Sequence, residues 1–195
     1  MRPFYHATMR SQLRSVLAAV SVVVLSACGT SGAGDAPNAA TSDRLEATNA
    51  ASAPLLPTDV LELPAFTVDR YEMLLAQLRG TPVLVNMWGA WCPPCREEAP
   101  ILAAAHDEFG DRIQFLGIDI EDDHAGAVAF IREFGWRFPS VADPTFPSRF
   151  RSALGFLGQP NTLFYDASGE LVTTWQGPLT EAALRDGIAR ILPDA

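Results

Sequence analysis

The stretch Val83-Leu84-Val85-Asn86-Met87-Trp88-Gly89-Ala90-Trp91-Cys92-Pro93-Pro94-Cys95-Arg96-Glu97-Glu98-Ala99-Pro100 decides the reading of this chain. Its opening run is apolar apart from Asn86 and predicts a buried strand. Arg96 to Phe109 reads as a helix, with Pro100 expected to kink it. Between them stand two thiols in C-x-x-C spacing, placed to form and break a disulfide with each other. A helix start has unpaired N–H groups and the positive end of the helix dipole, and both favour a thiolate. Cys92 is therefore the expected nucleophile. Cys95, one turn in, is the expected resolving thiol, more buried than its partner. Pro93 and Pro94 suit a first turn, where no backbone donor is needed.

Working outward, strand and helix signals alternate. Ala65 to Val68 reads as a short strand, and Asp69 to Leu78 as a helix with Asp69 as its N-cap. Pro82 to Trp88 is the central strand. Ile113 to Ile118 is a second buried strand, followed by an amphipathic helix over Ala125 to Phe134. Phe146 to Leu154 reads as a short helix. Thr162 to Tyr165 and Leu171 to Trp175, split by Asp166-Ala167-Ser168-Gly169, predict a β-hairpin. Thr180 then caps a terminal helix reaching Leu192. This order predicts an α/β fold with a sheet sandwiched by helices.

The chain has 195 residues and a net charge of −9. Its third cysteine, Cys28, closes a distinct N-terminal segment. Arg2, Arg10 and Arg14 precede an apolar run, Val16 to Ala27, with no acidic residue before Cys28. The run is shorter than the roughly 18 residues of a membrane-spanning helix and reads as an export signal. Leu25-Ser26-Ala27-Cys28 resembles the bacterial lipobox, which implies cleavage after residue 27 and lipidation of Cys28. Other readings are an ordinary secretory signal or an uncleaved anchor. Residues 28–57 are rich in small and polar types and read as a flexible linker with a root-mean-square span of about 30 Å. Residues 58–195 form the expected domain. Losing the leader, with its arginines, makes the chain still more acidic. Such a balance argues against nucleic acid and against a polybasic lipid-binding face.

The central stretch and the later Gly158-Gln159-Pro160-Asn161-Thr162 together resemble the thioredoxin superfamily, most of all its extracytoplasmic TlpA/ResA/CcmG branch. The resemblance covers roughly residues 60–192. It implies a thioredoxin-like fold, with a central mixed β-sheet flanked by helices on both faces. It also assigns Pro160 to a cis-proline facing the cysteines, with Gln159 lending its backbone to an incoming peptide and Trp91 and Pro93 beside the thiols. Phe156 and Leu157 are either an apolar rim or core residues.

Thioredoxins carry a buried Asp where this chain has Asn86. An amide cannot take the proton of Cys95. Glu98 matches a glutamate associated with the active site in the ResA-like branch. A partly buried carboxyl there would have a raised pKa and would shuttle protons. The alternative is a solvated glutamate beside Glu97. Trp88 reads as a core residue, and His106 and His124 as solvated ones. Glu121-Asp122-Asp123 reads as an exposed loop, with a metal-binding loop as the alternative.

The resemblance thus implies a membrane-tethered thiol-disulfide oxidoreductase on the extracytoplasmic face of a bacterial membrane. Reduction of protein disulfides, with cytochrome c maturation as one setting, is the expected direction. A membrane electron donor of the DsbD or CcdA kind is then required. No cofactor and no metal are expected. The alternatives are a disulfide oxidase of the same fold, a copper(I) metallochaperone holding the ion on two soft thiolates, and a lipoprotein with a merely structural disulfide. The copper proteins of this fold use C-x-x-x-C and a distal histidine, and no histidine follows His124 here. Structural zinc calls for four ligands, and the motif offers two.

Overall fold

A computed structural model describes residues 53–192 apart from Phe146. In chain order the elements are α1 (Val68–Gln77), β1 (Val83–Trp88), α2 (Pro93–Phe109), β2 (Gln114–Ile120), α3 (His124–Phe134), β3 (Ser140–Asp143), α4 (Arg149–Leu154), β4 (Asn161–Tyr165), β5 (Leu171–Gln176) and α5 (Glu181–Ile191). The strands form one mixed sheet in the order β3-β2-β1-β4-β5. β1 pairs in parallel with β2, and β2 with β3. β4 runs antiparallel to both β1 and β5.

Alternation along the strands sends side chains to two cores. Val83, Val85 and Met87 of β1 and Leu116, Ile118 and Ile120 of β2 pack with Tyr71 and Leu74 of α1 and Phe150 of α4. On the other face, Leu84, Trp88, Phe115 and Phe164 pack with residues of α2, α3 and α5. Strands buried on both faces read as nearly continuous apolar runs, which is why β1 and β2 stand out in the sequence. Gly187 lets α5 lie close on the sheet, because a Cβ there would meet the Phe164 ring.

The helix starts are encoded locally. Thr67 caps α1 by accepting from Arg70 N–H at 3.2 Å. Asp123 caps α3 by accepting from Gly126 N–H at 2.8 Å. Thr180 caps α5 by accepting from Ala183 N–H at 3.2 Å. Gly135 closes α3 at φ 64°, in the left-handed region that suits glycine.

Several expectations need correction. Thr67, not Asp69, is the N-cap of α1, and Asp69 lies in its first turn. The expected strand over Ala65 to Val68 reduces to one bridge, Ala65 to Ala142, because the helix cap follows two residues later. β3 carried no sequence signal: it has four residues directly after Pro139. The short helix starts at Arg149, where Ser148 caps it. α2 begins at Pro93 and continues past Pro100 to Phe109. Residues at the end of the expected linker lie against α1, where Leu55 N–H donates to Gln77 Oε1 at 2.9 Å. The export signal, Cys28 and most of the linker lie outside the described residues. Among the described residues, no helix is long and apolar enough to cross a membrane.

Candidate active site

The cysteines sit where β1 ends and α2 begins, at the carboxyl ends of the parallel strands. Ligand sites of open α/β sheets gather at this edge. Cys92 is the N-cap of α2, with extended backbone angles. It is joined to Cys95 by a disulfide, with the Cα atoms 5.3 Å apart. Cys95 N–H points at Cys92 Sγ over 3.3 Å. Such a donor, aimed at the sulfur from the first turn, stabilises a thiolate once the bond is reduced. Cys92 is 3% exposed and Cys95 1%, so the expected difference in access is slight in this disulfide form.

The Gln159–Pro160 bond is cis. The turn it makes brings Gln159 O to 4.0 Å from Cys92 Sγ. The two segments separated most widely in the motif reading therefore meet at the nucleophile. Trp91 is 53% exposed beside this point, and Leu157, in the loop before Gln159, is fully exposed. Pro93 is exposed as well. Trp91 Nε1 donates to Ile120 O at 3.2 Å, which fixes the ring against the end of β2.

Glu98 lies one turn beyond Cys95 on α2 and is 1% exposed, so the reading of a solvated surface glutamate does not hold. Its Oε1 accepts from Asn86 Nδ2 at 2.7 Å, and its Oε2 from Leu179 N–H at 2.6 Å. Asn86 Nδ2 also donates to Thr162 Oγ1 at 3.1 Å. Burial pushes the Glu98 pKa up to about 7, against the smaller lowering effect of the bonds from Leu179 and Asn86. A carboxyl that titrates near neutrality can take and return a proton during exchange.

The structure adds residues that the sequence reading did not single out. Arg151 of α4 donates to Gln159 Oε1 at 2.9 Å and to Glu121 Oε1 at 2.5 Å. Glu121, at φ 57°, also accepts from Ser148 N–H at 2.8 Å. This links the loop after β2, α4 and the cis-proline turn. Asp119 is a second buried acid, 2% exposed, level with Trp88 across the β1–β2 register. Asp122 Oδ2 accepts from Ala90 N–H at 2.5 Å, just before the motif. The acidic run is therefore only partly an exposed loop, since Glu121 and Asp122 are half-buried and bonded. A signal for Asp119 was present: on a strand buried on both faces, a polar residue stands out.

Trp88 is a core residue, stacked 4.4 Å from Phe130. His124 is exposed as expected. His106 is not simply solvated: its ring lies 5.4 Å from those of Phe115 and Phe138, and burial, then Arg137, lowers its pKa. Among the described residues, no group of three or more His, Cys, Asp or Glu side chains is placed to hold a metal ion.

Residues 60–174 match the AhpC/TSA family. The thiol:disulfide interchange protein DsbE homolog of Paracoccus denitrificans is 37% identical over 114 residues, which are 57% of this chain and 58% of that protein. The thiol-disulfide oxidoreductase ResA of Bacillus subtilis is 27% identical over 120 residues, 61% of this chain and 66% of that protein. The chain thus spans less than two thirds of either relative. A secreted Mycobacterium tuberculosis disulfide oxidoreductase, homologous to E. coli DsbE, superposes with a TM-score of 0.52 at 26% identity, over 58% of this chain and 84% of that one. With its matched span, its sheet order and a C-x-x-C disulfide at the start of α2, the chain belongs to the AhpC/TSA family, in the thioredoxin-like branch whose relatives include DsbE and ResA.

Proposed function

We propose that this chain is a thiol-disulfide oxidoreductase that reduces protein disulfides on the extracytoplasmic side of a bacterial membrane, tethered by a lipid on Cys28. The observation that carries the chemistry is the Cys92–Cys95 disulfide at the N-terminus of α2, with a buried carboxyl one turn away. In the reduced enzyme, Cys92 thiolate attacks one sulfur of a substrate disulfide. An S–S bond forms between Cys92 and the substrate, and the other substrate sulfur leaves as a thiolate. Cys95 then gives its proton to Glu98 and attacks Cys92 Sγ. The enzyme disulfide closes, and the second substrate sulfur leaves. Two electrons have passed to the substrate, and its thiolates take up protons from Glu98 and solvent.

Trp91 and Pro93 are exposed and meet the substrate chain, and the half-buried Gln159, set by the buried Pro160, offers its backbone carbonyl beside Cys92. A membrane donor of the DsbD or CcdA kind returns the pair to its dithiol form, and the disulfide of an oxidised apocytochrome c is a fitting substrate class. The equilibrium potential of the Cys92–Cys95 pair is the test. A value near about −270 mV supports a reductase, and one near about −120 mV supports an oxidase. Cys95→Ser should accumulate mixed disulfides through Cys92. Absence of any exchange or trapping would overturn the assignment of the pair as redox-active.

A further inference from the structure

Three carbonyls line the turn around Pro160, and two of them are taken within the fold. Gly158 O accepts from Asn161 Nδ2 at 2.5 Å, and Pro160 O from Gly177 N–H at 3.0 Å. Gln159 O receives no N–H donor among the described residues and faces Cys92 Sγ at 4.0 Å. It is the acceptor left for a chain that comes to Cys92.

The side chain of Gln159 ties this residue to α4. Its Nε2 is buried without a partner, so the amide is oriented by the bond from Arg151 Nη1 to Oε1, 2.9 Å long. Arg151 is oriented in turn by Glu121. Its Nη2 donates to Glu121 Oε1 at 2.5 Å, and the two side chains are only 17% and 10% exposed. The same carboxylate oxygen accepts from Ser148 N–H at 2.8 Å. Asp143 Oδ2 accepts from Ser148 Oγ at 2.6 Å and from Phe150 N–H at 3.1 Å. Helix α4 has six residues, too few to hold itself, so these bonds place Arg151. Glu121 has a φ of 57°, in the left-handed region where glycine is at ease and a side chain adds a cost. A glutamate stands there all the same, and its carboxylate is the group that both Ser148 N–H and Arg151 meet.

We infer that Glu121 and Arg151 are positioning residues: their shielded ion pair clamps the Gln159 side chain and so holds the Gln159 carbonyl beside Cys92, where a backbone N–H of a disulfide-bearing peptide meets it.

The meeting with a peptide rests on the function proposed above; the clamp does not. A fixed acceptor helps a substrate that brings a backbone N–H and gives nothing to a small disulfide without amides. The test therefore gives the reduced full chain two disulfides, a pair of peptides joined by one S–S bond and bis(2-hydroxyethyl) disulfide. The readout is the ratio of the two second-order rate constants. Glu121→Gly relaxes the backbone but removes the carboxylate, and should lower the ratio about tenfold, the worth of one charge-assisted bond. Gln159→Ala keeps the backbone carbonyl, loses its tether and should do the same. The two together should do no more than Gln159→Ala alone, because both act through one contact. A purely structural role for Glu121 would slow both disulfides alike. A wild-type ratio in folded Glu121→Gly, or in Gln159→Ala, overturns the inference; if Glu121→Gly does not fold, Gln159→Ala decides. NMR of the oxidised chain reads the clamp without any substrate. The Gln159 side-chain amide signals should lie away from those of free glutamine and move toward them in Glu121→Gly. Free-glutamine signals in the wild type overturn the inference. A wild type inert toward both disulfides, with its amide signals displaced, would count against the proposed function and leave the clamp standing.

Discussion

Replacing Glu98 by Gln separates the charge of the buried carboxyl from its shape. Glu98 holds its proton more tightly in the folded chain than in the unfolded one, since its pKa rises from 4.5 to about 7. The folded state therefore binds more protons between these limits. Its stability falls as pH rises through that window and levels off above it. At about 1.36 kcal/mol per pH unit, the fall is on the order of 3 kcal/mol. Glu98→Gln removes this dependence.

The amide also changes the bonding. Glu98 accepts from two donors, Asn86 Nδ2 and Leu179 N–H. A Gln side chain can accept from Leu179 but presents N–H to Asn86. Asn86 Oδ1 is buried and has no partner, so rotation of the Asn86 amide would receive that donor. Thr162 Oγ1 can then donate where it now accepts. The net bonding change is therefore about 1 kcal/mol or less. Urea denaturation of the oxidised protein from pH 4 to 8, variant against wild type, measures the balance. The variant should gain about 3 kcal/mol on the wild type across the series. In the reduced protein, the rate of intramolecular closure should lose its inflection near pH 7, with a fall of about a hundredfold if Glu98 is the proton acceptor. Thiol pKa values should drop, because an ionised neighbour no longer opposes the thiolate. A stability difference that stays flat with pH would refute the assignment of a raised pKa to Glu98. An unchanged rate profile would send the proton to water.

Two other substitutions probe the surroundings of the site. Arg151→Ala frees Gln159 and leaves Glu121 without its cation, so KM for a disulfide substrate should rise with kcat nearly unchanged, and stability should fall by about 1–3 kcal/mol. Steady-state kinetics and denaturation check this, and Arg151→Lys should recover little, since one ammonium cannot reproduce the two-armed contact. Gly117→Ala places a Cβ 2.7 Å from Trp88 Nε1 and closer still to Ser140 Oγ. Overpacking of this kind should cost about 1–3 kcal/mol in a thermal or urea melt, and Ser140→Gly should relieve part of it.

The legible parts of the fold are those written in short stretches. β1, the turn and the start of α2 follow from one apolar run and a C-x-x-C with two prolines, because a helix start is specified by its own first residues. β3 was not legible, since four residues after a proline carry no periodicity and their pairing with β2 is set from outside. The same holds for the site. Cys92 and Cys95 are local, and the place of Pro160 follows from resemblance. The Arg151 link to Glu121 and Gln159 joins three separate segments, and nothing in any one of them announces the others. Asp119 interrupts the apolar run directly after Ile118, where the sequence pattern for the strand stops. The structure extends β2 two residues further, to Ile120.

That extension shows how the sheet face near the disulfide is composed. Asn86, Gly117, Asp119, Ser140 and Thr162 lie on adjacent strands in register, on the side that α2, α3 and α5 cover. Leu84, Phe115 and Phe164 share that face and pack as an ordinary core. On the opposite face Val83, Val85 and Met87 of β1 and Leu116, Ile118 and Ile120 of β2 are apolar, while Asp143 of β3 and Asn161 of β4 are buried polar residues. A fold selected for stability alone would fill both faces with apolar residues, since each buried polar group must find a partner or lose free energy. The departures gather toward one end of the sheet, on both faces. They include two buried acids, each raised in pKa by burial: Glu98, a helical turn beyond Cys95, and Asp119, level with Trp88 near the end of β2. Local rules broken together at a single place mark where a sequence gives up stability for chemistry. Here that place is the end of the sheet on which the disulfide sits.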